Sequence, residues 1–335
     1  MGRRGDEEMR RRRGECEFPF SSITASYSPL ILEGGRVRII KAQVLGFCFG
    51  VRRAVEMIET ELRDRGPLYT LGAIVHNTHV VEALARNGAQ LVHSLDEVPP
   101  GGTVAITAHG AGEEVYAEIR RRGLRLVDTT CPIVRRAQQT AAKLVEEGYF
   151  VVVYGEADHQ EVKGILSWTR GEGIATLTPD IELPPEAKKI GIIAQTTKKP
   201  ELFARFAQEL IVRYTGKLGE IRIIDTTCPE TGRRYQAGRE LAEQVDALIV
   251  VGSRSSANTR KLAETCRGTG VPTYHIESAD EIEPDWLTGR ETFGVTAGAS
   301  TPDNVIEEVV QKLREIDETK NAKGGNGDEE HLLKR

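Results

Sequence analysis

Between Val37 and Ile316 the chain moves repeatedly between two hydrophobic rhythms. Short runs rich in β-branched residues occur at 36–43, 103–110, 149–155, 189–197, 220–227, 246–252 and 292–298, each ending in small or polar residues. Such runs bounded by turn residues read as strands. Other stretches, notably 51–66, 134–148 and 232–245, bring an apolar residue to one side every third or fourth position. These predict amphipathic helices. Strands alternating with helices predict an α/β protein with largely parallel sheets, whose binding groups gather at the C-terminal strand ends.

The same strand endings return at matched intervals. Cys48, Cys131 and Cys228 each follow a strand and a turn, and each precedes an Arg-Arg pair that opens a helix. Gly72, Gly155 and Gly252 end the following strands, each at the same offset from its cysteine. A third ending, at Ala108, Ala194 and Ala297, completes the set. The expectation is three similar α/β units packed around a common axis, with the cysteines meeting there. The first unit spans 37–131, including the strand that leads to Cys48; the second spans 132–228 and the third 229–316. Residues 1–36 are expected to form a disordered extension and 317–335 a disordered tail.

Composition narrows the function classes. The chain has 335 residues, 39% of them hydrophobic, and a formal charge of −5. A net negative charge argues against a nucleic-acid binder. No apolar run reaches the ~18 residues that cross a bilayer, so no membrane is expected. The N-terminal stretch has no apolar core of a secretory signal, and its acidic residues fit an organellar transit peptide poorly. The expected location is the cytoplasm. Five cysteines in a chain of this length make no disulfide framework and point instead to metal binding or catalysis.

Pro132 and Pro229 directly follow two of the cysteines. Proline favours the first helical position, so Cys131 and Cys228 are expected as N-caps. A helix N-terminus and nearby arginine both favour the thiolate, the metal-binding form. Three thiolates from distant loops match neither the paired cysteines of zinc fingers nor a ferredoxin run. They suit an iron–sulfur cluster with one iron left open, a Lewis acid for a substrate oxygen. The bland alternative, small buried hydrophobes, explains the matched offsets poorly. Cys16 and Cys266 lack the setting and are left out.

The remaining strand ends offer His76, His109, His159, Glu161, Thr196, Thr197, Ser256, Asn258 and Ser300. Imidazole, hydroxyl and amide donors beside helix starts suit an anionic, phosphorylated substrate. Glu161 is the lone carboxylate among them and a candidate proton donor. His79, His93 and His275 receive no role. Three readings follow: a reductase, an iron–sulfur regulatory or sensor protein acting by binding, and a zinc hydrolase of phosphorylated metabolites.

The ordered motifs GFCFGV, VHN, TAHG, DTTCP (twice), HQEVKG, QTT, GSRSSAN and VTAGAST resemble those of the 4-hydroxy-3-methylbut-2-enyl diphosphate reductase family, also called IspH or LytB. The resemblance covers roughly residues 37–316. It implies a pseudo-threefold trefoil of three α/β domains around a [4Fe–4S] cluster, with Cys48, Cys131 and Cys228 as ligands. It also implies the last step of the non-mevalonate isoprenoid pathway, in which two electrons and two protons remove an allylic hydroxyl to give isopentenyl and dimethylallyl diphosphates. The substrate hydroxyl would sit on the open iron, held by Thr196 and Glu161. Glu161 would supply the proton, aided by His159 or the bound diphosphate. His76, His109, His159, Ser256, Asn258 and Ser300 would bind substrate, and reduced ferredoxin or flavodoxin would donate electrons. The chain departs from the family pattern at Ala257, where many members carry a second serine. Thr259 or a backbone N–H is the expected replacement there.

Overall fold

The computed structural model describes residues 31–32, 37–75 and 77–332, with side chains described for 37–75 and 77–320. Its strands are β1 (Ile31–Leu32), β2 (Arg38–Lys41), β3 (Leu68–Leu71), β4 (Ala89–Val92), β5 (Thr103–Ile106), β6 (Arg125–Asp128), β7 (Phe150–Tyr154), β8 (Gly173–Thr176), β9 (Lys189–Ala194), β10 (Glu220–Ile223), β11 (Ala247–Val251), β12 (Thr273–Ile276) and β13 (Thr292–Ala297). They form three sheets, ordered β4-β3-β5-β6, β8-β7-β9-β10 and β12-β11-β13-β2-β1. All pairings in the first two sheets are parallel. In the third only the outermost strand, β1, runs antiparallel.

The three sheets repeat one plan, and the repeat explains why it needs both ends of the chain. In each, the strand that leads into a cysteine loop is β6, β10 or β2, the last of the parallel set. For the first two sheets that strand follows directly in sequence. The third takes β2 from the beginning of the chain, with Arg38, Ile39, Ile40 and Lys41 registered on Thr292, Phe293, Gly294 and Val295. This corrects the expected boundary: the strand that leads to Cys48 belongs to the third sheet, not the first. Local pattern marks a strand but not its partner, because pairing is settled by contacts far apart in sequence.

Each sheet buries both faces, as parallel sheets do. Along β11, Leu248 and Val250 enter one core with Leu241 and Leu262, while Ile249 and Val251 enter the other with Val309 and Leu313. The period of two sends alternate side chains to opposite helix layers. Gly294 shows how tightly one layer fits, since a Cβ there would lie 2.4 Å from the Leu248 side chain.

Two expectations about the ends need correction. Ile31 and Leu32, within the stretch expected to be disordered, pair with Ile40 and Ile39, which supplies backbone partners to an otherwise open edge. The last helix spans Asp303–Leu332, well into the expected tail. Its apolar spacing carries Val309, Val310, Leu313 and Ile316 into the core. Asp317 is buried as well and accepts the Val37 N–H at 3.2 Å, closing the third unit against β2. No helix among the described residues is long and apolar enough to cross a membrane.

Candidate active site

Each cysteine sits at the start of a helix. Cys48, Cys131 and Cys228 are the N-caps of Phe49–Arg65, Pro132–Glu146 and Pro229–Ala242. The backbone holds them in one way. Cys48 N–H donates to Ala299 O at 3.0 Å, Cys131 N–H to Ala108 O at 3.0 Å, and Cys228 N–H to Thr196 O at 2.6 Å. In every unit the cysteine is tied to the loop beyond the neighbouring strand of its own sheet.

The duplicated Asp-Thr-Thr-Cys-Pro is a turn built from side chains. Asp128 accepts the Thr130 N–H at 3.1 Å, and Asp225 accepts the Thr227 N–H at 2.8 Å. This is the local bond by which aspartate shapes a turn. The first threonine reaches sideways, Thr129 to Ile106 O and Thr226 to Ala194 O, each at 2.5 Å. Proline then starts the helix where its missing N–H costs nothing. The motif therefore presents a cysteine at a fixed height above its sheet.

All three thiols line one central cavity of about 150 Å3. Gly50 shows how close the loops come: a Cβ there would lie 2.6 Å from Cys131 Sγ. Val51, Val75 and Val134 give the cavity an apolar side. His109, Glu161, Thr196, Thr197, Ser256, Asn258 and Ser300 also line it. His159 is not in the wall but packs edge-on to His109, with ring centres 6.1 Å apart. Its Nδ1 accepts the Glu161 N–H at 3.2 Å, which leaves Nε2 to carry the proton of a neutral ring. His76 lies outside the described residues, as does Cys16. His79 and His93 are exposed, and His275 bonds to Gly252 O. Cys266 is a core thiol with no exposed surface.

Glu161 is the electrostatic centre of the wall. It is only 2% exposed. Thr196 donates to it twice, through N–H at 2.6 Å and through Oγ1 at 3.0 Å. Burial pushes its carboxyl up to about 7, against the pull of the two Thr196 bonds and of Lys198. Desolvation outweighs hydrogen bonding here, so the proton is held near neutral pH. Burial also raises the Cys131 thiol, against the Ile133 and Val134 amides and reinforced by the negative charges of Cys48 and Glu161. It raises Cys228 to about 11, helped by Cys131 and Cys48. The three thiols feel one another's charge, so becoming thiolates together requires a cation between them.

The donor set, three cysteine thiols from three helix starts around one cavity, is of the kind that fits an iron–sulfur cluster. A single tetrahedral ion needs all its ligands around one point, whereas a cluster takes each thiolate on a different iron. Three convergent thiols at helix starts, with space between them, match the second arrangement.

Residues 39–314 match the LytB protein family. The chain belongs to the LytB family. A curated 4-hydroxy-3-methylbut-2-enyl diphosphate reductase of Dehalococcoides mccartyi (strain CBDB1) is 44% identical over 274 residues, covering 81% of this chain and 96% of its own. The Geobacter sulfurreducens protein of the same name is 40% identical over 285 residues, covering 85% and 99%. A solved (E)-4-hydroxy-3-methyl-but-2-enyl diphosphate reductase, described as the terminal enzyme of the non-mevalonate pathway, is 39% identical. It covers 83% of this chain and 99% of its own, with a TM-score of 0.67. The Plasmodium falciparum E-1-hydroxy-2-methyl-but-2-enyl-4-diphosphate reductase is 26% identical, with coverage of 83% and 88% and a TM-score of 0.74.

Within this LytB chain several lining residues escape a reading of the sequence. Arg234 and Tyr235 line the cavity, and Arg234 is only 4% exposed. Its place in an Arg-Arg pair signals charge near the cysteine but not burial. Gly50 carries no signal beyond its closeness to Cys48. Ala257 is exposed as the first residue of its helix. The suggested replacement, Thr259, is fully buried. Its N–H is held by Ser256 Oγ at 3.3 Å, and its Oγ1 lies 2.2 Å from where a Gly298 Cβ would be. Thr259 therefore packs against the neighbouring loop and is absent from the cavity wall.

Proposed function

We propose that this chain reduces (E)-4-hydroxy-3-methylbut-2-enyl diphosphate to isopentenyl and dimethylallyl diphosphates. The allylic C–O bond breaks, two electrons and two protons are taken up, and water leaves. The observation that carries the reading is three cysteine thiols in one cavity whose wall holds a buried carboxyl titrating near 7. Relatives that bear this activity in their names support it.

Cys48, Cys131 and Cys228 would hold a [4Fe–4S] cluster. When bound, that cluster supplies the electrons and an iron able to take a substrate oxygen. The chain does the rest. Glu161 keeps a proton ready for the departing hydroxyl, and Thr196 fixes the carboxyl in place by its two bonds. The valine side of the cavity accepts the hydrocarbon, while His109, Ser256, Asn258 and Ser300 of the wall bind the diphosphate; His76 and His159 are the further substrate-binding residues that the family motifs imply. Neutral donors suit this task because they bind phosphate oxygens without a lysine beside the thiolates. The electrons come from a reduced ferredoxin or flavodoxin, in the cytoplasm, where free thiols persist.

The test is anaerobic reconstitution with iron and sulfide, followed by turnover with a reduced ferredoxin-type donor. We expect both five-carbon diphosphates as products. An intact cluster with no loss of the allylic hydroxyl would sink the proposal. Cys131→Ser and Cys228→Ser should each lower cluster iron and abolish turnover. A chain that binds zinc and stays colourless would favour hydrolysis instead.

A further inference from the structure

The three Arg-Arg pairs behind the cysteines divide their work in the same way in every unit. Arg53 Nη1 donates to Thr130 O at 3.3 Å, just before Cys131. Arg136 Nη2 donates to Asp225 O at 3.4 Å, in the turn before Cys228. Arg234 Nη2 donates to Gly46 O at 2.9 Å, just before Cys48, and its Nη1 donates to Ala297 O at 2.8 Å. The partners run in a circle: the helix after the first cysteine holds the loop of the second, the second holds the third, and the third holds the first. The first arginine of each pair does otherwise. Arg52 meets Asp303, Arg135 meets Asp128 of its own turn, and Arg233 meets Glu230 of its own helix.

We infer that Arg53, Arg136 and Arg234 are positioning residues. Each, on the helix behind one cysteine, clamps the loop of the next cysteine and so sets the spacing of the three sulfurs. The inference rests on the cluster-binding reading above. No single element fixes that spacing, because the sulfurs come from loops of three separate sheets, and each of these contacts joins the helix behind one cysteine to the loop that carries the next. A guanidinium is suited to the task because its rigid fork carries several donors at a long reach. It is also telling that the contacts go to neutral backbone carbonyls. Among the described residues no carboxylate forms an ion pair with Arg234, which is buried in the wall of the cavity that the thiols line. Losing a clamp frees one loop to swing away and lets its thiolate leave the metal.

The test compares the arginines that reach the next cysteine loop with one that does not. The reconstituted wild-type chain, Arg53→Gln, Arg136→Gln and Arg234→Gln are mixed anaerobically with a ferrous chelator, and iron release is timed. Arg233→Gln, which loses only an exposed ion pair within its own helix, serves as the control. Release should quicken about tenfold for Arg53→Gln and Arg136→Gln and further for Arg234→Gln, which loses two bonds. The control should match wild type. The electron-spin signature of the reduced cluster should shift in the first group only, with cluster-free unfolding midpoints unchanged for Arg53→Gln and Arg136→Gln. Arg53→Lys, which keeps one donor, should recover part of the loss. Wild-type release rates in Arg53→Gln and Arg136→Gln overturn the inference, as does a control that releases iron equally fast. If Arg234→Gln does not fold, the other two positions decide. A wild-type chain that takes up no iron sinks the cluster reading itself, and the clamps with it.

Discussion

The second and third units bring the same turn to the cavity with opposite chemistry. Beyond β7 the N-cap is His159 and the second helical residue is Glu161; beyond β11 the N-cap is Ser256 and the second helical residue is Asn258. A helix N-terminus favours a negative side chain, which alone would hold Glu161 ionised. Its carboxyl rises to about 7 instead, because burial dominates. At the matching position Asn258, half-buried, offers an uncharged amide. One scaffold thus gives an acid in one unit and a neutral donor in the other. Which residue occupies the second helical position, and how deeply it is buried, divides a proton-holding carboxyl from a neutral amide.

The sharpest way to break this contrast is to neutralise the acid. Glu161→Gln should keep its iron and lower kcat by about 10^2 to 10^4, the range of a lost general acid. Retained turnover would show that the proton comes from elsewhere, and binding without turnover in either form would favour a sensor. The reverse exchange, Asn258→Asp, places a second carboxylate where the diphosphate is expected. KM should rise about tenfold to a hundredfold with a smaller change in kcat, through like-charge repulsion. An unchanged KM would remove Asn258 from the diphosphate site.

A third prediction concerns stability. The folded chain holds the Glu161 proton up to about pH 7, whereas an unfolded glutamate releases it near 4.5. The fold therefore binds more protons than the unfolded chain between these values, and stability falls as pH rises through them. The Glu161 contribution is fully present below pH 4.5 and lost above 7, about 3 kcal/mol in all. Urea unfolding of the cluster-free chain should show this slope, and Glu161→Gln should flatten it. The smallest effect belongs to the cap. Ser256→Ala removes the bond to the Thr259 N–H and should cost about 1 kcal/mol. It should also raise KM if the hydroxyl meets the diphosphate.

The unit plan and the cysteine turns were legible because they are local and repeated. Matched offsets exposed the three-part plan, and Cys-Pro announced the N-caps that the structure contains. What stayed hidden depends on long-range contact. β2 has the same local pattern as any inner strand, and its registry on β13 is a matter of tertiary structure. Arg234 is indistinguishable from the exposed Arg233 beside it until folding brings the Gly46 and Ala297 carbonyls to one and not the other. The helix through Asp317 was missed because its polar composition beyond Ile316 suggested a solvated end, while the Val37 N–H waits for that carboxylate 280 residues away.

The borrowing of β2 has a temporal consequence. Synthesis runs from the N-terminus, and domains fold as units while the chain emerges. The first and second sheets can close in turn, each with its own cysteine loop. Cys48 leaves the ribosome before either, yet the bed for its strand, β13, is among the last segments made. A nascent chain therefore holds at most two settled cysteine loops, and all three thiols can meet in one cavity only when translation is nearly finished.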